Sequence, residues 1–230
     1  MDGFFRNFSN LGDLFNQALL RIIPALICIT IHELAHGVTA YKLGDSTAKD
    51  MGRLTLNPIK HIDPLGLFMM VIMRFGWAKP VPVDMRNFKH QKRYMAITAL
   101  AGPVSNIILA ALLMFIFGFF FMALTGSSVG VIINELIFNT IYISIALAVF
   151  NMLPLPPLDG SKVLFSLLPE NMYNKLMRYE RFGMIAILAI VGLQMFLGIS
   201  IFGAIIGYPA EVILNGLGVL FNFSFNIDLF

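Results

Sequence analysis

Two histidines and a glutamate fall within five residues of this sequence, as His32, Glu33 and His36. Residues four apart lie on one face of an α-helix, so both imidazoles could bind the same metal ion. Glu33 adjoins them and could act on a water molecule without being a metal ligand. This spacing is typical of helices that bind zinc and use the glutamate as a general base. The chemistry it predicts is metal-assisted hydrolysis of a peptide bond.

The stretch around this motif is apolar, because residues 22–40 form a hydrophobic run long enough to belong to a membrane span. Ionisable groups inside such a span are costly unless they are buried in protein and paired. A chance occurrence is therefore a poorer explanation here than on the solvated helix of a soluble protein. The placement predicts hydrolysis at membrane depth.

A catalytic zinc site generally uses three protein ligands, so the two histidines need a partner. Asp159 fits best, because it follows a proline-broken helix end at the membrane boundary that the histidines approach. His61 and His90 are expected to be ordinary surface histidines, and Glu135 is expected near the opposite membrane face. An ordinary turn or helix cap remains the alternative role for Asp159 and the glycine after it.

The composition indicates an integral membrane protein. Of the 230 residues, 58% are hydrophobic and 13% are charged, and the mean hydropathy is +0.80. A single soluble core could not hide so much apolar surface, whereas lipid accepts it. We expect an all-α polytopic fold in one membrane-embedded domain, residues 1–230. The net charge of +3 does not predict nucleic-acid binding, because the basic residues gather beside apolar segments.

The hydrophobic pattern predicts about four to six membrane segments, with the zinc site between helices. Four spans are expected at residues 22–41, 94–124, 131–153 and 183–206. Residues 65–73 are too few to span and suit a re-entrant or interfacial piece. Residues 76–84 alternate small residues and prolines, which predicts an extended segment or edge strand. The pattern leaves open whether residues 212–225 cross the membrane.

The basic residues predict the orientation of the chain. Ten of the 16 lysines and arginines lie between Lys42 and Arg93, and four more lie between Lys162 and Arg181. Such clusters mark cytoplasmic segments. We therefore expect the metal site toward the cytoplasmic side of the membrane.

Two motifs together closely resemble the metal-site motifs of the site-2 protease family of intramembrane zinc metalloproteases. They are residues 32–37, HELAHG, and residues 151–160, NMLPLPPLDG. Residues 52–66, GRLTLNPIKHIDPLG, and residues 101–106, AGPVSN, are also similar to family members. The paired metal motifs, in this order and separation, are the specific part of the resemblance.

The resemblance implies membrane helices around one zinc ion, with His32, His36 and Asp159 as ligands and Glu33 as the catalytic base. The family cleaves transmembrane segments of other membrane proteins, often after a first cut by another protease, in regulated intramembrane proteolysis. By analogy, Asn106 holds substrate backbone near the site, although a bond between helices would explain it equally well. The segment at 76–84 would pair with unwound substrate. The expected location is the plasma membrane.

The chain departs from many relatives in ways that predict a compact member. We expect neither a PDZ domain between the metal motifs nor a CBS pair after them. Three alternatives stay open from the sequence. The first is an ion or solute transporter that uses the buried His, Glu and Asp cluster. The others are a non-proteolytic scaffold that binds transmembrane helices and a zinc hydrolase that acts on lipid.

Overall fold

The computed structural model describes residues 11–73, 76–124 and 127–221. Within them lie eight α-helices: α1 Leu11–Lys42, α2 Thr47–Asp50, α3 Pro64–Met73, α4 Gln91–Leu124, α5 Ser128–Asn151, α6 Asp159–Ser166, α7 Glu170–Leu197 and α8 Ile201–Leu220. Two short 3₁₀ turns cover Pro58–His61 and Met85–Asn87. In this part of the chain, the strand-like pairing is a single antiparallel bridge between Ile62 and Ala78. The predicted all-α class is confirmed.

Four helical stretches are long and apolar enough to cross a membrane: Leu19–Lys42, Gln91–Gly118, Ser128–Asn151 and Ile201–Leu220. The bent helix α7 makes a fifth if its two halves count as one span. The protein is therefore a multi-pass membrane protein, as its composition predicts.

The fourth predicted span, residues 183–206, is wrong in its bounds. The chain leaves helix α7 at Gly198, whose φ of 67° is left-handed, and begins helix α8 at Ile201. Glycine adopts this conformation readily, and hydropathy does not report it. The side-chain oxygen of Gln194 accepts a hydrogen bond from the N–H of Phe202 at 3.1 Å. Helix α8 contains residues 212–220 of the undecided tail, and residues 222–225 lie outside the described part.

Pro24 lies inside helix α1, although the predicted span placed it near the start of a helix. Proline has no N–H, so the carbonyl of Leu20 one turn earlier loses its usual helical donor. The side chain of Asn139 on α5 donates to that carbonyl at 3.1 Å. Pro24 itself is fully buried. A neighbouring helix thus restores the missing bond, which allows proline within a membrane helix.

The central helices α1, α4 and α5 pack against one another, with α6 on α4 and α8 on α5. The largest buried apolar cluster joins side chains of α4, α5 and α8: Ala110, Met114, Phe117, Ile141, Ile145, Ala210 and Leu214. A smaller cluster joins Leu158, before α6, to Ile187 and Val191 on α7. The metal-site residues lie on α1, α4 and α6, at the end of the central helices that carries Lys42.

The chain between α1 and α4 contains the predicted short and extended pieces. Helix α3 has 10 residues, a length of about 15 Å, which is half of the roughly 30 Å of a bilayer core. Residues 76–84, the predicted extended segment, contain no helix; Ala78 makes the bridge to Ile62, and the backbone of Asp84 is extended. Gly66 packs directly on the carbonyl of Trp77, and a Cβ would not fit there. The extended segment is therefore held close to α3.

Candidate metal centre

The fold brings the three predicted ligands together. Nε2 of His32 and Nε2 of His36 each lie 3.1 Å from Oδ2 of Asp159. One ligand atom from each residue lies within 4.8 Å of the others, and all three residues are buried. The two histidines project from neighbouring turns of α1, and Asp159 is the first residue of α6. The proline-broken stretch before α6 carries the carboxylate to the histidines, as the sequence predicts.

The hydrogen bond of His36 to the backbone leaves its other ring nitrogen facing Asp159. Nδ1 of His36 lies 2.7 Å from the backbone oxygen of Thr98. A carbonyl oxygen can only accept, so Nδ1 carries the hydrogen, and Nε2 of the neutral ring presents a lone pair. That lone pair faces an oxygen of Asp159, which is also an acceptor. Two histidine nitrogens and one carboxylate oxygen form a donor set typical of catalytic zinc, so these residues fit the metal.

Gly102 on α4 lies directly behind both imidazoles. A Cβ at this position would lie 2.5 Å from Nε2 of His36 and 2.6 Å from Cε1 of His32. Only glycine allows α4 to approach the two rings so closely. The glycine–proline pair inside a membrane helix is the sequence signal, because neither residue favours helix formation.

Glu33 lies beside the three ligands, and its carboxylate contacts the extended segment. Its Oε2 accepts a hydrogen bond of 2.7 Å from the backbone N–H of Val81. The side chain is half-buried, beside the buried histidines and against the chain between α1 and α4. This places a carboxylate beside the cluster, where it could accept a proton.

Asn106 lies one turn after Gly102 on the same face of α4 and is fully buried. Its side-chain oxygen and nitrogen have no hydrogen-bond partner within the described residues. The hydroxyl of Ser144 on α5 donates instead to the backbone oxygen of Asn106, at 2.8 Å. A buried amide without partners is costly, so the side chain is suited to bind a polar group that enters the site.

The second oxygen of Asp159 faces a lysine. Nζ of Lys162 lies 4.0 Å from Oδ1 of Asp159 and 3.5 Å from a carboxylate oxygen of Glu180 on α7. The lysine thus links the first turn of α6 to the peripheral helix. Spacing of three residues on one helix is the only sequence signal for it.

The other three candidate ligands stay outside the cluster. His61 was predicted to be a surface histidine, and this prediction is wrong. The side chain is 1% exposed, and its ring nitrogen Nε2 donates to the carbonyl of Thr55 at 2.9 Å. The fold of residues 55–63 buries it, and a polar stretch of sequence does not reveal that. His90 is exposed, as predicted. Glu135 is exposed on α5.

Asp45 is a structural residue that the sequence did not single out. It accepts hydrogen bonds from the N–H and hydroxyl of Thr47, from the N–H of Asp84 and from the side chain of Asn87. Burial alone raises the pKa of the Asp45 carboxyl, but these hydrogen bonds bring that pKa below its ordinary value. A charged carboxylate therefore fastens the end of the extended segment to the chain after α1.

Comparisons with known proteins agree with this geometry. The chain is 41% identical over 178 residues to YwhC of Bacillus subtilis, a protein named as a zinc metalloprotease, and the match covers 74% of this chain and 78% of YwhC. Rip2 of Mycolicibacterium smegmatis, also named as a zinc metalloprotease, is 32% identical over 146 residues, which are 62% of this chain and 54% of Rip2. Rip2 of Mycobacterium tuberculosis is 27% identical over 72% of this chain and 63% of its own length.

The chain therefore spans 52% to 63% of the Rip2 relatives but most of YwhC. No solved structure matches the chain. The sequence model of peptidase family M50 matches residues 120–197, which include Asp159. With this match and the extensive similarity to YwhC, the chain belongs to peptidase family M50.

Proposed function

We propose that this zinc metalloprotease hydrolyses peptide bonds within or near transmembrane segments of other membrane proteins. One zinc ion would be held by His32, His36 and Asp159, and residues 1–230 would act as a single membrane-embedded peptidase domain. The observation that carries the proposal is the buried cluster of three ligand atoms within 4.8 Å. It lies between helices apolar enough to cross a membrane, in a member of a peptidase family.

The proposed chemistry divides between the metal and one carboxylate. When bound, zinc supplies a Lewis acid that polarises the scissile carbonyl and makes water more acidic. Glu33 takes the proton of the attacking water and passes it to the leaving amine, as a general base and then a general acid. The Thr98 carbonyl holds the ring of His36 in the tautomer that leaves Nε2 free to bind.

The protein would recognise the backbone of its substrate rather than the substrate's side chains. A transmembrane helix hides its carbonyls in its own hydrogen bonds, so the substrate must unwind before hydrolysis. The unpartnered amide of Asn106 could then bind the exposed substrate backbone beside the metal. Residues 76–84 offer an extended partner for the unwound chain.

The proposed site opens toward the cytoplasmic side of the plasma membrane. The basic residues between Lys42 and Arg93 favour that orientation. The chain between α1 and α4 lies at this end and supplies polar side chains through which water could reach the metal. Water access there would allow hydrolysis without a channel through the bilayer.

The direct experiment reconstitutes the purified protein in liposomes with a panel of single-span substrates. Wild type should cleave a substrate inside or next to its span. Glu33→Gln should keep zinc but lose about a hundredfold to ten-thousandfold in rate, the usual contribution of a general base. Normal cleavage by purified Glu33→Gln protein would contradict the mechanism. Ion flux into the liposomes without cleavage would instead favour the transporter, an alternative that the family does not support.

A further inference from the structure

The stretch 80–82 of the extended segment offers a single backbone donor. Pro80 and Pro82 have no N–H, so Val81 carries the one N–H of these three residues. That N–H donates to Oε2 of Glu33 over 2.7 Å. The prolines therefore restrict the segment and leave one hydrogen-bond donor, which is aimed at the glutamate of the metal motif.

Arg53 holds the beginning of this stretch in place. Its Nη2 donates to the carbonyl of Lys79 at 2.8 Å and to the carbonyl of Pro80 at 3.2 Å. The N–H of Lys79 donates in turn to the carbonyl of His61 at 2.9 Å. The residues just before Val81 are thus fixed by three hydrogen bonds.

Because Arg53 is buried, its hydrogen bonds to the carbonyls of Lys79 and Pro80 matter for stability. The side chain is 6% exposed, and no carboxylate in the described part of the chain lies within ion-pair distance of it. A buried cation is costly unless hydrogen bonds compensate it. Here the two carbonyls of the extended segment are the groups that compensate, which makes the position of that segment and the burial of Arg53 mutually dependent.

The surface of α1 is shaped to receive Val81. Gly37 lies one turn after Glu33 on the same face of the helix. A Cβ at Gly37 would lie 2.5 Å from a methyl carbon of Leu54 and 3.1 Å from a methyl carbon of Val81. The missing side chain lets the segment lie close enough to α1 for its N–H to reach the carboxylate of Glu33.

We propose that the Val81 N–H is a positioning group for Glu33, held in place by Arg53. The inference rests on the proposed role of Glu33 as general base. A bond to one carboxylate oxygen fixes the rotamer of Glu33 and leaves the other oxygen free to accept a proton. Such prior fixing removes reorganisation from the reaction step, as supporting hydrogen bonds do in other metal sites.

The bond itself can be observed without catalysis. Labelling with carbonyl carbon-13 proline and nitrogen-15 valine selects the three valine amides that follow a proline, those of Val81, Val83 and Val104. In NMR spectra, the Val81 amide proton should resonate downfield and move upfield in Glu33→Ala, while Val83 and Val104 serve as internal controls. An unchanged Val81 resonance in a folded Glu33→Ala protein would overturn the inference.

Kinetics tests the consequence of the bond. Val81→Pro removes the N–H, and Val81→Ala keeps it while trimming the side chain. For a single-span substrate, Val81→Pro should lower kcat by about tenfold to a hundredfold, a loss usual for supporting groups, with KM and zinc content near wild type. Val81→Ala should retain a kcat about tenfold higher than that of Val81→Pro, because it keeps the N–H. Wild-type kcat in Val81→Pro would overturn the inference.

Arg53 variants keep the test independent of how Val81→Pro folds. Arg53→Ala should lower kcat, and Arg53→Lys should recover part of the loss because an ammonium can still donate to one carbonyl. Arg86→Ala is the matched control, since that guanidinium is exposed and bonds to Asp84. Equal kcat in Arg53→Ala and wild type would contradict the proposal that Arg53 holds the Val81 N–H in place. Full activity of Glu33→Gln, by contrast, would refute the proposed function itself.

Discussion

The helices that hold the metal cluster and the two C-terminal helices are stabilised by different kinds of contact. Every buried polar or charged side chain in the described part of the chain falls between Thr30 and Ser161, before α7 begins. Helices α7 and α8 bury apolar residues such as Ile187 and Leu214 and expose large hydrophobic ones, including Phe196, Tyr208 and Val219. The first region combines apolar packing with hydrogen bonds between buried polar groups, whereas the second buries mainly apolar side chains.

The difference shows where the chain can tolerate change. In a bilayer, an exposed apolar side chain costs nothing, so helices α7 and α8 need only fit against α5 and α6. A buried polar group tolerates less, because each lost partner leaves a costly unsatisfied atom. Matched substitutions in the two regions should therefore differ in their effects on zinc binding and on cleavage.

The largest difference is expected between two carboxylates. Asp159→Ala removes one of three ligands and should leave less than about a tenth of the bound zinc and a cleavage rate lowered about a thousandfold or more. Glu211→Gln on α8 neutralises a half-buried carboxylate of the second region and should leave both the zinc content and the cleavage rate unchanged. Zinc analysis and a cleavage assay on the same samples decide this. Full zinc content in Asp159→Ala would remove that residue from the ligand set.

A methyl group added at Gly102 should have the next largest effect. Its carbon would lie 2.5 Å from Nε2 of His36, so the rings must move and the zinc dissociation constant should rise about tenfold to a hundredfold. Gly207→Ala on α8 adds the same atom where no neighbour lies within 4 Å. Competition with a zinc-binding dye measures both affinities. Equal affinities would mean that α4 does not press on the histidines.

Asn106 should affect the substrate rather than the metal. Asn106→Ala removes the unpartnered amide and should lower kcat/KM by about tenfold, the value of one or two hydrogen bonds, while zinc content stays unchanged. Asn215→Ala, on the exposed face of α8, should leave kcat/KM at the wild-type value. A loss of zinc in Asn106→Ala would assign the residue to the metal site or its packing instead.

The smallest effect is expected from Gly192 on α7, where an added Cβ meets nothing within 4 Å. Alanine favours helix over glycine by about 0.5–1 kcal/mol, so Gly192→Ala should raise the thermal unfolding midpoint by about 1–3 °C. Cleavage and zinc content should not change. A lower midpoint in differential scanning fluorimetry would show that α7 packs more tightly than its exposed surface indicates.

The sequence predicted the metal cluster because local spacing carried most of the information. The positions of His32 and His36 four residues apart determine a shared helix face, and the prolines before Asp159 mark the end of a helix. The membrane class followed from composition in the same way. These features depend on neighbours in the chain, which a sequence displays directly.

The contacts that a sequence does not display are those between distant parts of the chain. The burial of His61 and the bond from Val81 to Glu33 link residues whose spacing has no pattern. The break at Gly198 was missed because left-handed glycine and ordinary helical glycine look alike in a hydrophobic run. Long-range packing, not local preference, determines each of these.

X-ray absorption at the zinc edge tests the central claim most directly. The purified wild-type protein should show two imidazole nitrogens and oxygen ligands at about 2.0–2.2 Å, with no sulfur. His36→Ala should lose one imidazole contribution together with most of the metal. A zinc–sulfur distance, which in this chain would require Cys28 or a methionine, or a spectrum without imidazole, would contradict the assignment of His32, His36 and Asp159 as the zinc ligands.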